Sequence, residues 1–332
     1  MMTKSGFNHH AILETIPGGM FINKPEGVSV HNQPGLDLCS LVEGYLCIHA
    51  KIREKTLFDP DFGVNPVHRL DKETSGVMLL AVNREMFPFF ARQFEARAVV
   101  KLYTAILHGN LEHKDADGLW GTWRWPLSRS AGGRKSPAGS AKRLPCETRY
   151  RVLGHSRHYS LVRLSIATGR THQIRRHAKL SGHPVVGDQR YGSTRALNYL
   201  NNKAKFRRLA LHAQALTICT APGKEPRTIE TQDVPASMMA LYNNDNLRIE
   251  PVDPWAAAVA RLITDLDDYQ AALYPPESKH LVDVRKLAGK NYYFIAAMDD
   301  GLPRAIASFK RTDDGYVEIK LLYVPETYRW HK

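Results

Sequence analysis

Two short segments hold most of the side chains that could do chemistry. The first, His68-Arg69-Leu70-Asp71-Lys72-Glu73-Thr74-Ser75-Gly76, sets a carboxylate among bases just before an apolar run, Val77-Met78-Leu79-Leu80-Ala81-Val82. Residues of these types can do acid–base work. They also make a good turn, because Asp followed by Thr-Ser-Gly favours local side-chain hydrogen bonds. The second segment, Thr168-Gly169-Arg170-Thr171-His172-Gln173-Ile174-Arg175-Arg176-His177, brings up to three guanidinium groups to the start of a helix predicted over 171–181. Cations are disfavoured at the positive end of a helix dipole. The segment therefore calls for an acidic partner: a carboxylate, a phosphate, or both. Tyr103, an aromatic on a strand predicted over 101–108, reads on its own as core.

The charge balance points the same way. The 332 residues carry 46 Lys and Arg against 33 Asp and Glu, a net +13. Within 124–208 there are 20 basic residues and only two acids, Glu147 and Asp188, a footprint suited to a polyanion. No basic amphipathic helix carries this charge, which disfavours a membrane surface. The longest apolar runs are far shorter than a membrane span, and Met1–His10 lacks the apolar core of a secretory signal. The four cysteines, Cys39, Cys47, Cys146 and Cys219, follow neither disulfide-framework nor zinc spacing. They are expected as reduced thiols in a cytoplasmic protein. The chain contains no GxxxxGK[ST], no strand-GxGxxG-helix unit and no HExxH, so nucleotide-driven, dinucleotide redox and HExxH-type metallohydrolase chemistry lack support. A reaction on a polyanion with no cofactor and no metal is expected.

The elements that must position these residues come in hairpin-like groups. Residues 15–32 read as strand, Pro-Gly turn, strand, and 36–55 as an amphipathic helix. A helix over 84–97 precedes the 101–108 strand. Strands follow at 147–153, 158–166 and 209–218, and Gly182 is the expected stop of the 171–181 helix. Residues 126–145 form a Ser/Gly/Arg/Lys/Pro loop without apolar periodicity, long for a compact domain and so functional or disordered. Without regular βαβ alternation, the fold class is α+β with a mainly antiparallel sheet. The expected division is a catalytic domain over 1–235, a polar linker over 236–253, and a near-neutral α/β unit over 254–332. That last unit reads as a helix at 254–273 and strands at 291–297, 304–310 and 316–324, joined by Asp-Asp-Gly turns.

Taken together, the motifs resemble the RluA-type family of RNA pseudouridine synthases. HRLDKETSG matches the family's H-R-L-D-x-x-T-S-G motif, and Lys101-Leu102-Tyr103-Thr104-Ala105 its K-x-Y-x-A strand. TGRTHQIRRH, His183-Pro184-Val185-Val186-Gly187-Asp188, Tyr191-Gly192 and Leu211-His212-Ala213 match its later blocks in order. The resemblance covers about residues 13–232. It implies a bent, mainly antiparallel sheet with a central cleft, and isomerisation of uridine in structured ribosomal or transfer RNA. The reaction breaks the C1′–N1 bond, turns the uracil and joins C1′ to C5, so nothing enters or leaves and no cofactor is needed. It also implies Asp71 as the catalytic aspartate, attacking the substrate or removing a sugar proton. Arg175 is the cation paired with it, favouring its charged form, and Tyr103 is the ring stacked on the base. Arg69 is implied to fill the space of a flipped-out uridine, with Arg170 and His172 contacting RNA, while His68 and Thr74 shape the loop. Many relatives carry an N-terminal S4 domain, which is not expected here.

The 254–332 unit resembles the first half of a GNAT N-acetyltransferase through Leu273-Tyr274-Pro275-Pro276-Glu277-Ser278 and Tyr316–Pro325. The family's Gly-rich pyrophosphate loop does not follow, so a truncated, non-catalytic unit with an unpaired sheet edge is expected. The competing reading of the whole chain is a non-catalytic RNA-binding or RNA-folding module.

Overall fold

The computed structural model describes residues 7–112, 120–273, 291–299 and 301–329. Two compact units divide the chain, residues 1–242 and 243–332.

In the first unit the strands are β1 (Ile12–Ile16), β2 (Gly19–Lys24), β3 (Asn65–Pro66), β4 (Ser75–Ala81), β5 (Val100–His108), β6 (Gly121–Trp123), β7 (Leu127–Ser128), β8 (Arg143–Leu144), β9 (Thr148–His155), β10 (Tyr159–Ile166), β11 (Leu211–Ile218) and β12 (Arg227–Glu230). The helices are α1 (Leu38–Ile48), α2 (Ala50–Thr56), α3 (Phe87–Glu95), α4 (Gln173–Leu180), α5 (Thr194–Asn202) and α6 (Ala236–Asn244). Ten strands form one sheet in the order β1-β2-β4-β11-β5-β10-β9-β6, with β12 beside β11 and β3 beside β4. β4 and β11 run parallel, and the other pairs are antiparallel. The fold is α+β with a large, mainly antiparallel sheet, as the hairpin-like spacing implies.

Every residue of β4 is buried. Alternate side chains serve opposite faces of a strand. Met78 and Leu80 join the larger core with Met20, Ile22 and Val162, while Val77, Leu79 and Ala81 join a second core with Phe21, Phe90 and Ile218. The apolar run after the aspartate is thus the centre strand of a sheet covered on both sides, and it fixes the segment that precedes it.

Several boundaries differ from the sequence reading. The first hairpin turns at Pro17-Gly18, joining β1 to β2, and residues 25–37 are irregular rather than a second strand. The helix expected over 36–55 breaks at His49, whose Nδ1 lies 2.7 Å from the Tyr45 carbonyl and whose backbone leaves helical geometry at φ −114° and ψ 81°. Residues 126–145 are not featureless: β7 and β8 pair across the loop. Gly182 does follow the end of α4, with φ +89° and the next amide, His183 N–H, closing on the Ala178 carbonyl. The stretch expected as a linker, 236–253, carries α6 and a strand, β13 (Arg248–Pro251).

In the second unit β13 opens a four-stranded antiparallel sheet, β13-β14-β15-β16, completed by β14 (Tyr292–Asp299), β15 (Leu302–Arg311) and β16 (Val317–Tyr323). Helix α7 (Ala257–Leu273) sets Val259, Leu262, Ile263 and Leu266 against Phe294, Ala296, Ile306, Leu321 and Tyr323. That spacing along α7 is one apolar helical face. Most of the segment expected to resemble an acetyltransferase, 274–278, and the terminal Trp330-His331-Lys332 lie outside the described residues.

Candidate active site

Sheet register brings the two chemical segments together. Where β4 meets β11, Gly76 lies opposite Ala213, and Ala213 lies opposite Tyr103 on β5. A Cβ on Gly76 would stand 2.1 Å from the Ala213 carbonyl oxygen, and its φ is +116°. Only glycine permits that approach. The Asp71 loop therefore enters the sheet two strands from Tyr103. The loop closes through Thr74 N–H to the Asp71 carbonyl at 3.0 Å. From below, the fully buried Lys24 ammonium donates to the carbonyls of Pro25, Val28 and Lys72 at 2.8, 2.8 and 3.0 Å. Burial pulls that lysine down to about 8, against the opposing pull of Asp71, Glu73 and Glu26.

His68 and His212 brace the same segment as neutral rings. His68 Nε2 accepts the Leu79 N–H at 3.0 Å, and the ring stacks on Phe94. His212 Nδ1 lies 2.8 Å from Ser75 Oγ and its Nε2 2.9 Å from Thr231 Oγ1. Burial first, then Lys101 for His68 and Arg208 for His212, drives them down to about 3 and about 4.

Helix α4 supplies the partner. Arg175 Nη1 donates to Asp71 Oδ2 at 3.1 Å and to Glu73 Oε2 at 3.3 Å. Its other face forms a fork on Asp188, Nε to Oδ2 at 2.8 Å and Nη2 to Oδ1 at 3.0 Å. Asp188 is fully buried and also accepts the Arg190 and Tyr191 amides. Burial alone would lower the guanidinium, but the hydrogen bonds and charge of Asp188, and then of Asp71, raise it above its ordinary value. A bidentate fork holds a guanidinium in one plane, so Arg175 reaches Asp71 from a fixed position. His172, in left-handed backbone at φ +53°, places Nε2 3.8 Å from Asp71 Oδ1 and Nδ1 3.0 Å from Tyr191 Oη. Burial lowers His172.

These groups face a cavity of about 580 Å³ that is open to solvent and lined by residues of both segments, with Phe94, Lys101, Tyr103, Arg129 and Ile166. Tyr103 is 7% exposed. Burial, and then the charge of Asp71, raises its phenol, which keeps its proton at neutral pH. The volume lies within the range of small-molecule and cofactor clefts and admits one nucleotide residue.

Residues 19–180 match the family described as RNA pseudouridylate synthase. The chain is 31% identical over 229 residues to a protein of Bacillus subtilis named uncharacterized RNA pseudouridine synthase YlyB, covering 68% of this chain and 69% of that one. It is 32% identical over 227 residues to ribosomal large subunit pseudouridine synthase C of Buchnera aphidicola, 65% of each chain, and 34% identical over 210 residues to transfer RNA pseudouridine synthase C of Haemophilus ducreyi, 59% of this chain and 79% of that one. Human RNA pseudouridylate synthase domain containing 4 superposes with a TM-score of 0.54 at 26% identity, covering 70% of this chain and 91% of that one. The chain belongs to the RNA pseudouridylate synthase family. Members of this family are isomerases that convert uridine in RNA to pseudouridine. The chain spans about two thirds of the length of the first two of these curated relatives, 69% and 65%.

Of the residues singled out in the synthase sequence, Asp71, Tyr103, His172 and Arg175 line one cavity, with Asp71 between His172 and Arg175. Arg69 lines it as an exposed side chain. Arg170 also lines it, donating from Nη2 to the Pro145 carbonyl at 3.1 Å, while its Nε is buried without a partner. The acidic partner called for by the helix start is a set of carboxylates, Asp188, Asp71 and Glu73. Asp188 was not among the expected site residues. The sequence does mark it, as one of two acids in the basic stretch 124–208. The GNAT-like character of the second unit finds no support in these comparisons.

Proposed function

We propose that this synthase isomerises a uridine in structured ribosomal or transfer RNA at the Asp71 cleft, with Asp71 as the catalytic residue. The observation that carries the reading is the ion pair of Asp71 with a buried, doubly anchored Arg175 at the wall of a nucleotide-sized cavity beside Tyr103. Arg175 engages Oδ2 and leaves Oδ1, 3.8 Å from His172 Nε2, to attack the sugar or take its proton. The C1′–N1 bond then breaks, the uracil turns over the Tyr103 ring, and C1′ joins C5 as the Asp71–sugar bond breaks or the proton held by Asp71 returns to the sugar; the proton lost from C5 is matched by one gained at N1, so the product is an isomer. Tyr103 enters as the neutral phenol, so taking part in that proton transfer requires it to pass its own proton on.

A base inside a helix is out of reach of the cleft, so the uridine must be extruded. Arg69, exposed at the rim, can both stack and hydrogen-bond in the vacated space. Arg170 and His172 bind the strand at the cavity wall, and the basic stretch 124–208 holds phosphates. No helix among the described residues is long and apolar enough to cross a membrane, which fits action on cytoplasmic RNA. The catalytic domain is assigned to 1–235. The 254–332 unit is assigned no acetyl transfer, which calorimetry with acetyl-CoA checks: binding would overturn it.

The test maps pseudouridines in total RNA from cells lacking the gene, complemented with the wild type or with Asp71→Asn. One or a few sites vanish on deletion, return with the wild type and stay absent with Asp71→Asn. Return of product with Asp71→Asn refutes the role of Asp71, and no site lost on deletion favours the RNA-folding reading.

A further inference from the structure

Arg176, the neighbour of Arg175 on α4, faces away from the catalytic cleft. It is fully buried and among the largest such side chains in the protein, yet it meets no carboxylate among the described residues. Its guanidinium is instead enclosed by main-chain oxygens of the loop between β7 and β8. Nη1 donates to the Ser128 carbonyl at 2.9 Å, Nη2 to the Ala138 carbonyl at 2.6 Å and to Ser128 Oγ at 3.1 Å, and Nε to the Pro137 carbonyl at 2.5 Å. The loop is shaped around it. Gly139 has φ +80°, and a Cβ there would stand 1.8 Å from Ser128 Oγ and 3.2 Å from Arg176 Nη2. Ser128 N–H closes on the Ala138 carbonyl at 3.0 Å. From the outer side, Arg190 donates to the carbonyls of Gly132 and Ala131 at 2.8 and 3.1 Å.

A planar fork with five donors can satisfy several carbonyls at once. A buried cation held by main-chain carbonyls and one hydroxyl, with no carboxylate against it among the described residues, keeps its positive charge. The loop so fixed presents Arg129, Lys135 and Lys142, all exposed and without an ion pair among the described residues. Arg129 lines the cavity itself. Holding a dense set of like charges in one place opposes their mutual repulsion, and an anionic partner relieves it.

We propose that Arg176 and Arg190 are positioning residues that fold the 128–143 loop into a preformed basic platform for phosphates of the substrate RNA flanking the reacting uridine. The inference rests on the reading of the Asp71 cleft as the isomerising centre. Adjacent residues of one helix then divide the work: Arg175 holds the catalytic carboxylate, and Arg176 holds the surface on which the RNA lies. Substrate binding, more than the chemical step, depends on the second.

The test uses the full chain with total RNA from cells lacking the gene, following binding and conversion at the mapped uridine as salt is raised. Arg129→Gln, Lys135→Gln and Lys142→Gln combined remove three phosphate contacts. The salt slope then falls by roughly 2–3, so from about 50 to 200 mM the wild type loses roughly 30-fold more affinity than the variant. Arg176→Gln raises KM, leaves kcat within about twofold, flattens the same salt slope, and removes hydrogen-exchange protection at the Ser128 amide. A merely structural role would lower thermal stability without altering the slope of the folded protein. Should Arg176→Gln fail to fold, Arg190→Ala loosens the same loop from its exposed side and must flatten the slope by itself. An unchanged slope in the triple variant overturns the platform. A flattened slope there with an unchanged one in Arg176→Gln, or in Arg190→Ala where the former is unfolded, overturns the positioning role. Product from Asp71→Asn would instead overturn the catalytic reading, so the two failures are distinguishable.

Discussion

The catalytic segment 68–76 and the basic loop 128–143 are mostly irregular and end on strands, both border the cleft, and both are held by a buried cation donating to main-chain carbonyls. Lys24 does this beneath Lys72, and Arg176 does it within the turn of Ser128, Pro137 and Ala138. They differ in what they present. The first turns a carboxylate inward to a guanidinium locked on Asp188, and the second turns cations outward with no protein anion to meet them among the described residues. Main-chain carbonyls attract a buried cation without neutralising the charges of the loop they belong to. The same device can therefore fix an acid for chemistry or a set of bases for binding.

The first segment depends on paired charge, and loss of that pairing has the largest expected effect. Asp188→Ala leaves Arg175 buried without its fork. Loss of one partner of a buried pair costs about 3–5 kcal/mol, read as a lowered denaturation midpoint, with conversion of RNA lost even in the folded fraction. A folded, fully active Asp188→Ala protein would show that Arg175 does not need anchoring.

Acid sharpens the contrast. His68 and His212 are neutral in the folded protein, at about 3 and about 4, against 6.5 when unperturbed. Because folding lowers these values, the unfolded chain binds more protons as pH falls below 6.5. Stability present above that pH is lost progressively toward 4. For His212 the loss is roughly 3 kcal/mol. Urea denaturation across pH 4–7 should show a steeper acid loss for the wild type than for His212→Gln. Equal slopes would remove His212 from the bracing of β4.

Smaller effects follow from single hydrogen bonds. Ser75→Ala unpairs His212 Nδ1 and an Arg208 N–H, for about 1–2 kcal/mol, with conversion reduced in proportion to any displacement of Asp71. Smallest of all, the combined Gln variant at 129, 135 and 142 should change stability by less than about 0.5 kcal/mol, because those side chains are exposed. A large loss there would mean that the platform is part of the fold and not only of the RNA surface.

Much of this contrast could be read from the sequence at the first segment and little at the second. The continuous apolar run Val77–Val82 and the alternating strand 101–108 point to the central sheet, while Asp71, Tyr103, His172 and Arg175 follow from the motif order through the family it resembles. Asp188 escaped because an acid thirteen residues from Arg175 acquires meaning only when the chain returns past α4. Arg176 escaped because helical periodicity assigns a basic residue to solvent, and nothing local says that a loop some 40 residues earlier will wrap around it. The missed strand β13 is short and polar, and its pairing with β14 is set by tertiary contact rather than by β-propensity. The break at His49 came from a side chain competing for a helix carbonyl, which apolar spacing does not register.

The Asp71 carboxylate performs the proposed isomerisation, while RNA binding resides elsewhere. Single-turnover conversion of the mapped uridine by Asp71→Asn, with RNA affinity measured on the same preparation, tests it most directly. The expected result is no detectable pseudouridine and an affinity within a few-fold of the wild type. Product formed at the wild-type rate would contradict it.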